Sequence, residues 1–192
     1  MTVVTGLDIE TTGLLPKKEG EPIEHKIIEI NLQVFHLETR SLKANWLKRI
    51  HPGRSVLADA TRVHGITLAD LAGCPPFNDV VAPIQKVLYL TDFLIAHNGV
   101  YFDVPFVSHE LVTLGCKPVG KPCFDTMTEG RWATAYGKSP TLGELSFACG
   151  VDYDTEKAHS AVYDVGRMME CFFKGLDWGF YKLPAMPARA AA

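Results

Sequence analysis

The reading of this chain turns on VVTGLDIETTGL, residues 3–14. Its apolar positions describe a strand running through the interior. Yet Asp8 and Glu10 stand two apart, and side chains at i and i+2 of a strand point to the same face. Two carboxylates held side by side repel one another and lose hydration unless a cation sits between them, so a bound metal ion is the expected third party. The plainer alternative is a partly exposed edge strand whose acids face water; Gly6, Leu7 and Ile9, which read as core-facing, count against it.

Outward from this strand, a polar loop leads to KIIEINLQVFHL (residues 26–37), a second strand, and ANWLKRIHP (44–52), a third with Trp46 and Lys48 on one face and Leu47 and Arg49 on the other. Three successive strands predict a meander. SVLADATRVHGIT (55–67) has helical spacing that ends near His64 and Gly65, and Thr67 is placed to cap the LADL that follows. FNDVVAPIQKVLYLT (77–91) predicts a helix with Pro83 in its first turn. DFLIAHNG (92–99) is a buried strand feeding an Asn-Gly turn, and VPFVSHELVTLG (104–115) is a helix stopped by Gly115. KPCFDTM (121–127) is a short strand or connector, TEGRWATAYG (128–137) and TLGELSFACG (141–150) are further helices, and SAVYDVGRMMECFFKGL (160–176) is the last long one. A meander followed by alternating helices and strands predicts an α/β domain, a mixed sheet with helices on both faces.

With 192 residues, 47% hydrophobic and 21% charged, the chain is long enough for one substantial core. No apolar run approaches a membrane span and the first strand begins at once, so an intracellular, cytoplasmic protein with no membrane partner is expected. The five cysteines form no CxxC pair, which argues against a disulfide framework. A net charge of −3 counts against a nucleic-acid partner at face value. That objection is weak for an acidic site that loads divalent cations and grips only a few terminal nucleotides. The Ala/Pro-rich residues 183–192 read as a short tail outside the domain of residues 1–182.

Two more acids occupy costly positions. Asp103 lies just beyond the buried strand, and Asp164 sits inside the apolar last helix, although either could be a helix cap or a solvated surface acid. Brought together, Asp8, Glu10, Asp103 and Asp164 would form an oxygen-rich site for hard cations, Mg²⁺ or Mn²⁺, rather than a zinc site. Two such ions about 4 Å apart suit in-line hydrolysis of a phosphodiester. His159, five residues before Asp164, is the candidate base, since its ordinary pKa suits proton transfer near neutrality.

Taken together, DIETTG, HNGVYFD and HSAVYD resemble the three motifs of the DEDDh, or DnaQ-like, 3′→5′ exonuclease family. EHKIIEI and VHGIT are also similar to segments of the proofreading subunits of bacterial replicative polymerases. The resemblance implies a ribonuclease H-like fold with a five-stranded mixed sheet flanked by helices. It implies that Asp8, Glu10, Asp103 and Asp164 ligate two divalent ions and that His159 deprotonates the attacking water, with nucleoside 5′-monophosphates as products. It further places the backbone around Thr11 and Thr12 near the terminal 3′-hydroxyl, Leu14 or Leu15 against the terminal base, and His64 and Asn98 in the same pocket. The partner expected is the 3′ end of single-stranded DNA, with RNA as the alternative substrate; a polymerase partner or a homodimer would both suit the chain. A fold retained for binding without chemistry is the competing reading from a different class, and the presence of all five catalytic-type residues counts against it.

Overall fold

The computed structural model describes residues 1–18 and 20–183. Five strands, β1 (Val3–Thr11), β2 (Ile27–His36), β3 (Ser41–Arg49), β4 (Phe93–Ala96) and β5 (Cys123–Asp125), form one sheet in the order β3-β2-β1-β4-β5. The meander β1 to β3 is antiparallel, and β4 and β5 add in parallel on the other side of β1. The expected five-stranded mixed sheet is therefore present. The first strand is central, which is why its residues on both faces are covered.

The helices are α1 (Ala58–His64), α2 (Val81–Leu90), α3 (Asp103–Thr113), α4 (Thr126–Glu129), α5 (Leu142–Cys149) and α6 (Ala161–Asp177). One core lies between the sheet and α2 and α3, where Leu7, Ile9, Ile30 and Leu32 meet Ile84, Leu88, Phe106 and Leu111. The other lies under α6, whose Val165, Met168, Met169 and Phe172 pack on Val4, Phe93, Ile95 and Phe124. Each such side chain removed from water contributes about 1.5–3 kcal/mol before entropy is counted. The two layers also explain the alternation in β1: odd positions from Leu7 serve the first core, while Gly6, Asp8 and Glu10 face the α6 side.

Several expected boundaries hold for physical reasons visible in the structure. Gly65 closes α1 in the left-handed conformation, and its N–H bonds to the Thr61 carbonyl. Thr67 and Asp70 bond reciprocally around a single 3₁₀ turn over Ala69–Leu71, but the capping position of that turn falls on Leu68 rather than on the expected Thr67. The segment 77–91 divides into a 3₁₀ turn over Phe77–Val80 and then α2, with Pro83 in the first turn, where its missing N–H costs nothing.

The clearest departure is at residues 128–137, expected as one helix. The α-helical part stops at Glu129 and two 3₁₀ turns follow, Gly130–Ala133 and Ala135–Gly137. Asp125 caps α4 tightly, and Gly130 sits against Pro140, Leu145 and the Tyr181 hydroxyl. Tyr136 then turns left-handed at φ 58°. Tertiary packing overrides local helix preference here. The α1 region is likewise shorter than the helical spacing of residues 55–67 suggests. Of the tail, residues 184–192 lie outside the described residues. Among the described residues no helix is long and apolar enough to cross a membrane, and all five cysteines are free thiols.

Candidate active site

The carboxylates are delivered by three elements. Asp8 and Glu10 come from β1, Asp103 from the first turn of α3, and Asp164 from the first turn of α6. All four line one cavity of about 930 Å³, together with His159, His64, Asn98, Thr11, Leu14 and Leu15.

Local sequence explains each placement. Gly6 lets α6 approach the sheet, for a Cβ there would lie 2.6 Å from Val165 Cγ1. Since Val165 follows Asp164, that close approach carries Asp164 to the row containing Asp8. Gln33, buried on β2, donates to the Val162 carbonyl at 3.0 Å and pins the same turn. Asp103 is placed by a different device. The parallel pairing of β1 with β4 runs only to Gly6↔Ile95, and beyond it the Ile9 amide donates to Asp103 Oδ1 at 3.0 Å. The turn before α3 is held by buried Asp125, whose oxygens accept from the amides of Asn98 at 3.0 Å and Val100 at 3.1 Å, with Asn98 left-handed at φ 67°.

Asp164 is itself satisfied: Oδ2 accepts from the His159 amide at 2.8 Å and Oδ1 from the Tyr153 hydroxyl at 3.1 Å. His159 is left-handed at φ 61°, and its exposed ring makes no hydrogen bond to a described residue. Asp8 and Glu10 are in the opposite condition. Both are half-buried, and neither carboxylate accepts a hydrogen bond from a described residue. Burial first, then the charges of Asp103, Glu10 and Asp164, push Asp8 well above the usual carboxylate range. Burial and then Glu29 raise Glu10 to about 9. Asp103 rises to about 7 through burial, although the bonds from its own amide and that of Ile9 oppose the shift. Asp164 is raised by burial, against its bonds from His159 and Tyr153.

This electrostatic condition tests whether a metal fits. Among the described residues, no three His, Cys, Asp or Glu side chains form a ready-made metal cage, so the acids converge on a shared cavity rather than a single point. The donor set is nonetheless all carboxylate oxygen, its charges repel, and two of its members have no internal donor. Such a set suits a hard divalent cation, not a soft metal.

The remaining predicted residues divide. Leu14 stands 71% exposed at the cavity mouth, while Leu15 packs on the core behind it. His64 lines the wall, but its nitrogens are engaged: Nδ1 accepts from the Ile66 amide at 3.0 Å, leaving Nε2–H for the Thr11 carbonyl at 3.2 Å. It offers substrate a ring face rather than a hydrogen bond. Thr11 lines the cavity and spends its hydroxyl on the Gly13 carbonyl. Thr12 is fully buried and outside the cavity lining, its amide donating to the Lys26 carbonyl and its hydroxyl accepting from the Lys26 amide. Sequence reasoning passed over Asp125, Gln33, Tyr153 and Glu29. Only Glu29 had a local signal, a carboxylate amid the apolar IIEI.

The exonuclease family model matches residues 5–172 of this chain. The chain belongs to that exonuclease family. It is 35% identical over 169 residues to the DNA polymerase III subunit epsilon of Pasteurella multocida, covering 86% of this chain and 65% of that protein. It is 27% identical over 165 residues to the PolC-type DNA polymerase III of Ureaplasma parvum, covering 86% of this chain but 11% of that one. The chain thus spans less than two thirds of either relative. Among solved structures, the nuclease domain of 3′hExo, a DEDDh family member bound to rAMP, superimposes with a TM-score of 0.72 at 18% identity, covering 96% of this chain and 97% of that one. At that identity it attests the shared ribonuclease H-like fold.

Proposed function

We propose that the protein is a 3′→5′ exonuclease that hydrolyses the ends of single-stranded DNA to nucleoside 5′-monophosphates. The observation that carries this reading is the convergence of Asp8, Glu10, Asp103, Asp164 and His159 on one cavity. The four carboxylates would hold two divalent ions, Mg²⁺ or Mn²⁺, which supply Lewis-acid polarisation of the scissile phosphate and stabilise charge on the attacking and leaving oxygens. The chain's own residues do the rest. His159, with neither ring nitrogen engaged by a described residue, takes a proton from the attacking water. Asp164 fixes the backbone of that histidine through its amide, and Tyr153 keeps Asp164 from rotating away. Leu14 and the face of His64 provide contacts that tolerate any base. DNA is favoured over RNA because the sequence relatives are DNA polymerase III subunits, and a polymerase is accordingly the proposed partner.

The test is release of mononucleotides from 3′-labelled single-stranded DNA and the matching RNA, with Mg²⁺, Mn²⁺ or excess EDTA. Metal-dependent release that is faster on DNA is expected. Faster release from RNA would move the assignment to an exoribonuclease, and release of labelled oligomers from the interior would refute exonuclease action.

A further inference from the structure

A second cleft of about 420 Å³ opens beside the carboxylate cavity, lined by Glu29, Lys48, Arg49, His64, His159 and Ser160 among others. His64 and His159 line both spaces, so the two meet at the histidines. Their electrostatics differ. Among its described lining residues the cavity carries seven carboxylates against one Lys or Arg, Lys17. The cleft carries one carboxylate, Glu29, matched by Arg49, while Lys48, also in its lining, stands on the opposite face of β3. A polyanion whose terminal nucleotide occupies the cavity is repelled by most of the cavity's rim and meets far less negative charge in this cleft.

The strand register shows how the cleft is built. Glu10 pairs with Glu29, and Glu29 with Arg49, so the three form one row across β1, β2 and β3. The side chain of Glu29 is 6% exposed and its Oε2 accepts from Arg49 Nε at 2.9 Å. A guanidinium carries five N–H donors in a rigid fork, and Nε supplies only one of them. The four on the terminal nitrogens donate to no described residue, and the Arg49 side chain is 47% exposed. A buried carboxylate therefore grips one edge of the guanidinium and leaves the fork open toward the cleft. That planar fork matches two oxygens of a phosphate, which a lysine ammonium does not do.

We propose that Arg49, oriented by Glu29, binds the backbone phosphate immediately upstream of the scissile one, making the cleft the path by which a single strand leaves the cavity. Arg49 is a substrate-binding residue and Glu29 its positioning residue. This assignment rests on the exonuclease reading, and the test separates the two. The substrates are a thymidine trinucleotide and an aryl ester of thymidine 5′-monophosphate, which offers a scissile phosphodiester but no upstream phosphate. The readout is the ratio of their kcat/KM values. Arg49→Gln alone could leave Glu29 unpaired, so Glu29→Gln/Arg49→Gln is measured beside it, and Arg49→Lys tests the fork.

The ratio of trinucleotide to ester is expected to fall about tenfold in both Gln variants, mainly through KM for the trinucleotide, and to recover only in part with Lys. The salt dependence of log KM should lose a slope of about 0.7, the value of one phosphate contact to a single strand. A ratio within twofold of wild type in the double variant would overturn the subsite while leaving the exonuclease reading intact. Failure of the wild-type protein to cleave either substrate with Mg²⁺ or Mn²⁺ would overturn that reading and the subsite with it.

Discussion

Buried acids in this molecule are treated in two ways. Glu29 and Glu110, each only 4% exposed, are neutralised internally: Arg49 bonds to Glu29, while Lys26 Nζ lies 3.2 Å from Glu110, which also accepts from the Ile27 amide. Asp125 is equally satisfied, by the amides of Asn98, Val100, Met127 and Thr128. Asp8 and Glu10, on the central strand, form no ion pair with a described Lys or Arg, and their carboxylates accept no hydrogen bond from a described residue. A fold able to satisfy its structural acids has left these two unsatisfied. An uncompensated charge costs stability, and such a cost is tolerated where function requires it.

Substitutions at the two kinds of acid should therefore have opposite consequences. The largest effect is expected for Asp8→Ala: mononucleotide release should fall by at least about 10⁴-fold, as for loss of a metal ligand at the reaction centre, while far-UV circular dichroism is unchanged. A loss of activity accompanied by unfolding would put Asp8 with the structural acids. Next, His159→Ala should slow single-turnover hydrolysis by about 10²–10⁴-fold, with metal affinity retained. A loss under tenfold would remove it as the base.

On the structural side, Lys26→Ala should destabilise by about 3 kcal/mol in urea unfolding, because it leaves Glu110 buried and unpaired. The paired change Lys26→Met/Glu110→Leu should restore most of that loss. The smallest effect, and the one of opposite sign, belongs to Glu10→Gln. Glu10 is raised from 4.5 to about 9 in the folded chain. Below pH 4.5 both states hold the proton and nothing is lost. As pH rises toward 9 the unfolded chain releases its proton first, so wild type loses stability through that window. In EDTA the Gln variant should match wild type at pH 4 and melt higher at pH 8, by at least about 2–4 °C, corresponding to about 1 kcal/mol or more.

Much of the fold could be read from local pattern. The alternation around Asp8 and Glu10, the three-strand meander and the amphipathic α6 each followed from residues close in sequence. The five residues that line one cavity, Asp8, Glu10, Asp103, His159 and Asp164, each sit in a short motif, which is why they could be picked out before their convergence was seen. What escaped depends on register and packing. Nothing near Arg49 announces that it lies opposite Glu29, or that Glu29 lies opposite Glu10; only strand pairing supplies that row. Asp125 reads as an ordinary residue at a strand end, yet it holds the Asn98 turn 27 residues away. His64 was legible as a pocket residue, but the engagement of both ring nitrogens by backbone was not. Residues 128–137 misled because Asp125, Pro140 and Tyr181 decide their conformation, and none is in that stretch.

The central claim is that the unsatisfied carboxylates await a divalent cation, and it can be tested without any substrate. Thermal unfolding at pH 8 would be followed as Mn²⁺ is titrated into metal-free wild type and Asp8→Ala. Ligand linkage predicts a wild-type Tm that climbs with Mn²⁺ concentration, by about 2.7 kcal/mol of stability at 100 times Kd, and a nearly flat response in the variant. An equal rise in both proteins, or none in wild type, would contradict the account.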